Sequence, residues 1–291
     1  MPARVRIGAV NYLNTRPLVY NLERLAPKAQ LSLDLPSRLA DRLAEGALDV
    51  ALIPVIEYFR GDGYTIVPNI AIATRGPALS VTLFSRVPWA QICRVALDEG
   101  SRTSAALTQI LLRDRHGLTP QLQPLPTSAT AEESDADAVL LIGDRAMKSC
   151  LPGYRFAYDL GQEWHDWTGL SFVYAFWAVR AGADLGGVEK ALEESKRQGL
   201  AHVGEIAAAE APKLGLDAGY CRRYLETVIR FNLGPREVDG LQRFYDLASE
   251  LGLAPAGGEL RFYGARRIGN VNDRSFETPQ TPVVHAPGSP V

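Results

Sequence analysis

The stretch PSRLADRLAEGALDVALIPVIEY, residues 36–58, decides the fold class of this chain. Residues 37–45 repeat apolar side chains at helical spacing, and Gly46 ends that helix. Residues 48–53 then form an uninterrupted apolar run, as in a strand covered on both faces, and Pro54 opens the next helix. A buried strand between two helices is typical of the parallel sheet of an α/β protein.

The same alternation of strands and helices extends outward from this stretch in both directions. The strands predicted on this pattern are 4–10 and 30–35 in the same unit and, beside a helix at 103–113, 94–97, 121–125 and 138–142 in a second unit. Helical spacing then covers 188–211, 218–231 and 235–251. The chain therefore contains two α/β units followed by a helical region.

Two long apolar runs separate these parts of the chain. The run ALSVTLFS, 78–85, lies between the units, and SFVYAFWAVR, 171–180, follows the second one. We interpret both runs as antiparallel crossover strands that form a hinge between two lobes, which a ligand in the cleft would close. The predicted first lobe comprises residues 1–80 plus 179–264, and the predicted second lobe comprises residues 81–178.

The charge composition of the chain limits the kinds of ligand that we expect it to bind. The 291 residues include 31 basic and 33 acidic side chains, a net charge of −2, so there is no general attraction for nucleic acid or an anionic membrane. Any anionic ligand must therefore be held by local groups. From 265 to 291 the chain is rich in Arg, Asn, Pro, Ser and Gly, and we predict a disordered tail without a function.

The cysteines and the apolar runs bear on the cellular location. Cys93, Cys150 and Cys221 are odd in number and far apart, which favours reduced thiols. No run approaches the ~20 apolar residues of a membrane span, and the first residues lack the long apolar region of a secretory signal. We expect a cytoplasmic protein without a membrane or nucleic-acid partner; its oligomeric state is left open.

The sequence lacks the common motifs for metals and cofactors. The four histidines form neither HExxH nor a Cys/His cluster, so no metal site is expected. The sequence contains no GxGxxG, no GxxxxGK[ST] and no GxSxG. These patterns leave either plain binding or a reaction that needs no cofactor.

Polar residues follow several predicted strands at the carboxyl edge, where open α/β sheets bind ligands. They are Tyr12, Asn14 and Thr15, then Glu57, then Ser101, Arg102, Thr103 and Ser104, and finally Gly143 and Asp144. Residues 101–104 begin a helix, so hydroxyls, a guanidinium and unpaired backbone N–H groups meet there, as an anion site requires.

Each of these residues also has a purely structural interpretation. Ser101, Asn14 and Asp144 are residue types that cap helices, and for the last two a cap is the favoured interpretation. Glu57 is expected on a helix face. The aromatic side chains of Trp164 and Trp167, like that of Tyr12, are candidates for a cleft wall, although such residues more commonly fill a core.

Several stretches in one order carry a resemblance to a known family. They are GAVNYLNTRPL (8–18), the opening stretch 36–58, GPALSVTLFSRVP (76–88), ALDEGSRTSAALTQILL (96–112), ADAVLLIGDRAM (136–147), DLGQEWHDWTGLSFVYAFWAVR (159–180) and FNLGPREVDGLQRFY (231–245). The fold pattern resembles type II periplasmic solute-binding proteins. In detail the sequence resembles the chorismate dehydratases of the futalosine route to menaquinone.

The resemblance implies a lyase that converts chorismate to 3-[(1-carboxyvinyl)oxy]benzoate and water without a metal or cofactor. The family's key asparagine matches Asn14, its anion-binding loop matches residues 101–104, and its hinge serine matches Ser80. The sequence departs from the family at Asn11, where relatives often have Ser, and at Ser171, where they often have Pro.

Other functions remain open alongside this one. The sister 1,4-dihydroxy-6-naphthoate synthases share the fold but differ in the first loop. A transport receptor that binds a small anion should carry an export signal, and a transcription-factor effector domain should follow a DNA-binding helix-turn-helix. Because no histidine is placed at the predicted cleft, we expect the enolpyruvyl carboxylate of the substrate to act as the base.

Overall fold

Two β-sheets organise the computed structural model, which describes residues 4–148 and 151–264. The predicted tail at 265–291 and Cys150 lie outside the described residues. The strands are β1 (Arg6–Val10), β2 (Gln30–Asp34), β3 (Val50–Pro54), β4 (Thr65–Thr74), β5 (Val81–Ser85), β6 (Arg94–Asp98), β7 (Gln121–Leu125), β8 (Ala138–Ile142), β9 (Phe156–Asp159), β10 (Phe172–Val179) and β11 (Ile229–Arg230).

Helices connect and cover these strands. They are α1 (Leu22–Leu25), α2 (Pro36–Ala44), α3 (Val55–Arg60), α4 (Arg102–Ile110), α5 (Gly143–Met147), α6 (Leu160–Thr168), α7 (Val188–Ala201), α8 (Val203–Leu214), α9 (Ala218–Arg223) and α10 (Pro235–Glu250). Short 3₁₀ segments cover Leu13–Val19 and Trp89–Gln91, and π-helical turns cover Leu111–Arg115 and Tyr224–Val228.

The first sheet forms the core of the first lobe. Its strand order is β11-β4-β10-β3-β1-β2, with β1 parallel to both β2 and β3. Every residue of β3 is buried, as its uninterrupted apolar run predicts. The helix–strand–helix interpretation of residues 36–58 is therefore confirmed.

The second sheet belongs to the second lobe and has the strand order β7-β6-β8-β5-β9. Its β6 lies parallel to β7 and β8, whereas β5 runs antiparallel to β8 and β9. The parallel strands of both sheets place the loops at their carboxyl ends at a shared edge, which is where the polar segments lie.

The long apolar run near residue 175 has a different place from the predicted one. The range 81–178 assigned it to the second lobe, but β10 pairs with β3 and β4 in the first sheet. Because this strand is buried on both sides, with Phe176 and Trp177 at zero exposure, it suits the middle of a sheet. The chain therefore returns to the first lobe before β10.

The C-terminal helical region is also divided differently from the prediction. The single helix expected at 188–211 is broken at His202, whose ring stacks on Tyr20 with centroids 5.0 Å apart. The helix expected at 218–231 ends in a π-helical turn, and residues 229–230 pair with β4 as β11. This pairing gives hydrogen-bond partners to backbone groups at the edge of the sheet.

A carboxylate at the start of β3 ties three strands of the first sheet together. Asp49 accepts hydrogen bonds from the backbone and side chain of Arg6, at 2.8–3.0 Å, and from the Arg180 guanidinium at 3.0 Å. The side-chain hydrogen bond from Arg6 is the main reason that the pKa of Asp49 lies well below its usual range. The ionised carboxylate therefore stabilises the fold.

Replacing Asp49 by asparagine should lower the free energy of unfolding by about 2 kcal/mol at neutral pH, the usual worth of charged hydrogen bonds. A lowered folded-state pKa means that this stabilisation is present above the unfolded pKa of about 3.9 and is lost as the pH falls below it. Urea unfolding measured from neutral pH to well below this pKa should show the free energies of unfolding of wild type and variant converging. Asp135→Asn, at an exposed pair with Arg94, is the control. A difference independent of pH would contradict the prediction.

Candidate functional site

A cavity lies between the two lobes, at the edge where the polar loops meet. It contains about 540 Å³ of space free of atoms, part of it open to solvent. The polar side chains on its wall are Tyr12, Asn14, Ser80, Ser101, Thr103, Ser104 and Tyr174. Among the described residues, no Asp, Glu, Lys, Arg or His side chain lines this cavity.

Most of the predicted site residues meet at this cavity although they lie far apart in the sequence. Seven of the ten line its wall, namely Tyr12, Asn14, Ser80, Ser101, Thr103, Ser104 and Gly143. They come from the ends of β1, β6 and β8 and from the start of β5. The other three, Thr15, Arg102 and Asp144, lie elsewhere.

Asn14 lies inside the 3₁₀ segment Leu13–Val19, so it is not a helix cap. Its Nδ2 donates a hydrogen bond to the Tyr224 hydroxyl at 3.1 Å. Its Oδ1 is buried and has no hydrogen-bond partner within the described part of the chain. A buried acceptor without a partner is unfavourable unless a ligand or water supplies a donor, which makes Oδ1 a ligand-contact candidate.

The start of α4 forms the opposite part of the wall. Ser101 is the residue before the helix, yet its side chain makes no capping hydrogen bond. The cap interpretation of Ser101 is therefore wrong, and both Ser101 and Ser104 line the cavity. The Thr103 hydroxyl accepts a hydrogen bond from the Ile56 backbone N–H at 3.3 Å, which leaves its own proton to donate. These hydroxyls and the positive end of α4 suit an anion.

Arg102 was predicted to bind a ligand carboxylate, but the structure directs its side chain to the other lobe. Its guanidinium donates to both oxygens of Asp41, at 2.8 and 2.9 Å, and to Glu57 at 2.9 Å. Two carboxylates already satisfy the fork of N–H groups, so the side chain joins α4 to α2 and α3 and does not line the cavity. Glu57, expected on a helix face, lies on α3 and belongs to this ion pair.

A second contact joins the lobes on the other side of the cavity. The Asp144 carboxylate accepts a hydrogen bond from the Leu13 backbone N–H at 3.1 Å. Asp144 lies inside α5 without capping it, so the cap interpretation is wrong here too. Burial raises the pKa of this carboxyl.

Gly143, next to Asp144, lies where the ring of Tyr12 meets the second lobe, and this position requires glycine. Its φ of +59° favours glycine, and a Cβ atom would lie 2.9 Å from the ring atoms of Tyr12. The ring of Tyr12 therefore packs directly on the backbone of the second lobe.

The remaining predicted residues are part of the core or the rim. Thr15 is fully buried beside Asn14 but does not reach the cavity wall. Trp164 is buried and its Nε1 donates to the backbone oxygen of Ser171 at 3.2 Å, so the core interpretation applies. Trp167 packs edge-on against it, with centroids 6.1 Å apart. The exposed Asn11 side chain accepts a hydrogen bond from Arg16 at 3.0 Å.

Two tyrosines at the site were missed by the sequence analysis. Tyr174, on β10, lines the cavity and its hydroxyl lies 3.3 Å from Thr74 Oγ1. Tyr224 lies behind Asn14 and Ser80 with 1% exposure. Burial raises the pKa of both hydroxyls, so both stay protonated. A tyrosine within an apolar run is the one signal that pointed to Tyr174, because its buried hydroxyl needs a partner.

The described residues also bear on metal binding and on membrane insertion. In residues 4–148 and 151–264, no group of three or more His, Cys, Asp or Glu side chains is placed to hold a metal ion. No helix in these residues is both long and apolar enough to cross a membrane.

Comparison with known proteins gives relatives of known activity. Residues 5–250 match the model of a family described as menaquinone biosynthesis. Chorismate dehydratase from Thermus thermophilus is 32% identical over 265 residues, which is 85% of this chain and 95% of that protein. Chorismate dehydratase from Campylobacter jejuni is 27% identical over 254 residues, 85% of this chain and 99% of that protein.

Comparison with solved structures bears on the fold. The periplasmic aliphatic sulphonate binding protein SsuA from Escherichia coli superposes with a TM-score of 0.61 at 18% identity, over 98% of this chain and 99% of that one. The predicted two-lobed α/β fold, similar to periplasmic binding proteins, is thereby confirmed.

Proposed function

Because the chain belongs to the menaquinone biosynthesis family, we propose that it is a chorismate dehydratase that forms 3-[(1-carboxyvinyl)oxy]benzoate and water. The observation that carries this proposal is the cavity between the lobes. Its wall includes hydroxyl residues at the start of α4 and Asn14, whose buried Oδ1 has no hydrogen-bond partner among the described residues. The identity with two chorismate dehydratases over most of the chain supports it.

The charges of chorismate suit the neutral wall. Its two carboxylates accept hydrogen bonds, and Ser101, Thr103 and Ser104 offer hydroxyl donors beside the unpaired N–H groups of α4. We assign the ring carboxylate to this end of the cavity. Neutral donors hold an anion without the strong charge pairing that would slow its release.

Asn14 Oδ1 suits the only hydrogen-bond donor of the chorismate dianion, the C4 hydroxyl. An acceptor at this point would fix the direction of the C4–O bond that must break. It would also remove the unfavourable state of a buried oxygen without a partner.

The elimination balances without any group outside the substrate. The enolpyruvyl carboxylate takes the proton from C3, and the electron pair of that C–H bond becomes a ring double bond as the C4–O bond breaks. The new carboxylic acid gives its proton to the departing oxygen, so water leaves and the carboxylate is restored. A wall without charged side chains favours this base, because desolvation raises the pKa of a carboxyl group.

We further propose a cytoplasmic location and a place on the futalosine route. The support for the route is the resemblance of the first loop, YLNTRPL at 12–18, to dehydratases of that route. The support for the location is that the thiols of Cys93 and Cys221 are unpaired, as is usual in a reducing compartment.

Incubation of the purified protein with chorismate tests the proposal. We expect loss of chorismate and the appearance of the aromatic product, followed by absorbance and mass spectrometry. Turnover of a cyclic futalosine derivative in place of chorismate would identify the sister activity. Binding of chorismate without turnover would identify a binding protein, and either result would refute the proposal.

Replacing Arg102 by alanine should raise the KM for chorismate up to about fivefold with little change in kcat. The ion pairs with Asp41 and Glu57 hold the lobes together, and partly exposed pairs contribute up to about 1 kcal/mol. Steady-state kinetics at low and high salt measure the effect, since salt should raise the wild-type KM towards that of the variant. Arg38→Ala, which loses an exposed pair within the first lobe, is the control. An unchanged KM would refute this role.

A further inference from the structure

A chain of hydrogen bonds runs behind the wall of the cavity. Asn14 Nδ2 donates to the Tyr224 hydroxyl at 3.1 Å, and this hydroxyl lies 2.9 Å from Ser80 Oγ. The Ser80 hydroxyl is in turn 3.3 Å from the backbone oxygen of Ala78. Tyr224 itself does not line the cavity, so it has no direct contact with a bound molecule.

The last acceptor, the backbone oxygen of Ala78, sets the donor and acceptor of every hydrogen bond in this series. A backbone carbonyl can only accept, so the Ser80 hydroxyl must donate to Ala78 and use a lone pair for the Tyr224 proton. Tyr224, having donated its only proton, can only accept from its other neighbour. That neighbour is Asn14, a residue of the cavity wall, which must therefore present its NH₂ group to Tyr224 and keep its buried Oδ1 free for another donor.

This series of hydrogen bonds ends at Ala78, whose backbone is held firmly. The Asp159 carboxylate accepts hydrogen bonds from the backbone N–H groups of Ala78, at 2.8 Å, and Leu79, at 2.7 Å. Leu79 has a φ of +59°, an uncommon conformation for a residue with a side chain, and Asp159 stabilises it. The Ala78 carbonyl is consequently a fixed reference for the three side chains that follow.

We infer that Tyr224 is a positioning residue for the dehydration, which holds the Asn14 amide in the one orientation that offers an acceptor to the C4 hydroxyl. The inference rests on the proposed function. A flipped amide would turn its NH₂ group towards the leaving hydroxyl and lose the bond to Tyr224. Tyr224 comes from the C-terminal helices, 210 positions from Asn14 in the sequence.

Tyr224→Phe removes the hydroxyl and keeps the ring. We expect kcat for chorismate to fall between about 10- and 100-fold, since small losses of alignment slow reactions by such factors. KM should change less than about threefold, because Tyr224 does not touch the substrate. The matched control is Tyr58→Phe, which also loses one donated and one accepted hydrogen bond, to Glu259 and from Arg261, away from the cavity. Its kcat should match that of the wild type.

A double-mutant cycle separates positioning from general support of the fold. If Tyr224 acts through Asn14, adding Tyr224→Phe to Asn14→Ala should lower kcat by less than about twofold further. Losses that multiply would overturn the inference, as would a Tyr224→Phe enzyme with wild-type kcat. A wild type that does not convert chorismate would instead refute the proposed function and the inference together.

One readout does not need a Tyr224 variant. The side-chain NH₂ resonances of Asn14, assigned by their loss in Asn14→Ala, should include one proton that exchanges slowly with solvent. Rapid exchange of both protons would overturn the hydrogen bond to Tyr224 on which the inference depends, even if Tyr224→Phe does not fold.

Discussion

Replacing Asn14 by alanine should lower kcat for chorismate at least about 100-fold, a usual loss when a group aimed at the reacting atoms is removed. The change takes away the side-chain amide of a residue that lines the cavity, including the buried Oδ1 that has no hydrogen-bond partner among the described residues. The carboxylate contacts at the start of α4 remain, so KM should change much less than kcat. Steady-state turnover of chorismate by the purified variant measures both constants.

Asn11→Ala is the matched control for this variant. Asn11 is three positions upstream, exposed, and hydrogen-bonded to Arg16 instead of lining the cavity. Its kcat should stay within about twofold of the wild type, as for a surface change away from the site. If Asn14→Ala keeps its kcat while remaining folded, Asn14 has no part in the reaction.

Replacing Gly199 by alanine should lower the free energy of unfolding by about 3 kcal/mol, the upper part of the usual range for overpacking. A Cβ atom on Gly199 would lie 2.1 Å from the backbone oxygen of Pro17 and 2.5 Å from its Cα. Both are main-chain atoms, so no side-chain rotation can relieve the overlap. α7 would have to move away from the 3₁₀ segment Leu13–Val19, which carries Asn14. Urea denaturation followed by circular dichroism measures the loss.

Gly204→Ala provides the comparison within the same lobe. Gly204 is exposed in α8, and its Cβ would meet no atom within 4 Å. Alanine there should raise the free energy of unfolding by about 0.5–1 kcal/mol through its better helix propensity. Equal effects at the two glycines would show that α7 does not pack closely on Pro17.

Local pattern was a good guide to the elements of this protein. The apolar run at 48–53 depends on near neighbours in the chain and forms β3 as predicted. Five residues of the polar segments 12–15 and 101–104 line the cavity, whereas Thr15 and Arg102 do not. The run at 171–180 was correctly identified as a strand, but its sheet was not, because an apolar run fits the middle of either sheet equally well.

Partners of single side chains could not be read from the sequence. Arg102 has the chemistry of a carboxylate ligand, and it does bind carboxylates, but those of Asp41 and Glu57. The residue that orients Asn14 comes from a helical segment whose pattern carries no sign of the cavity. Cap-forming residues such as Ser101 were ambiguous for the same reason, since their hydroxyls can turn towards the helix or towards a ligand.

The sequence by itself determined the two α/β units and the loops that carry the polar residues, because periodicity and loop placement are local properties and parallel strands share one carboxyl edge. Only the tertiary structure decided which lobe holds β10, where the Arg102 guanidinium binds and which way the Asn14 amide points. Those choices depend on residues that are 45 to 210 positions apart in the chain and meet only when the whole chain has folded.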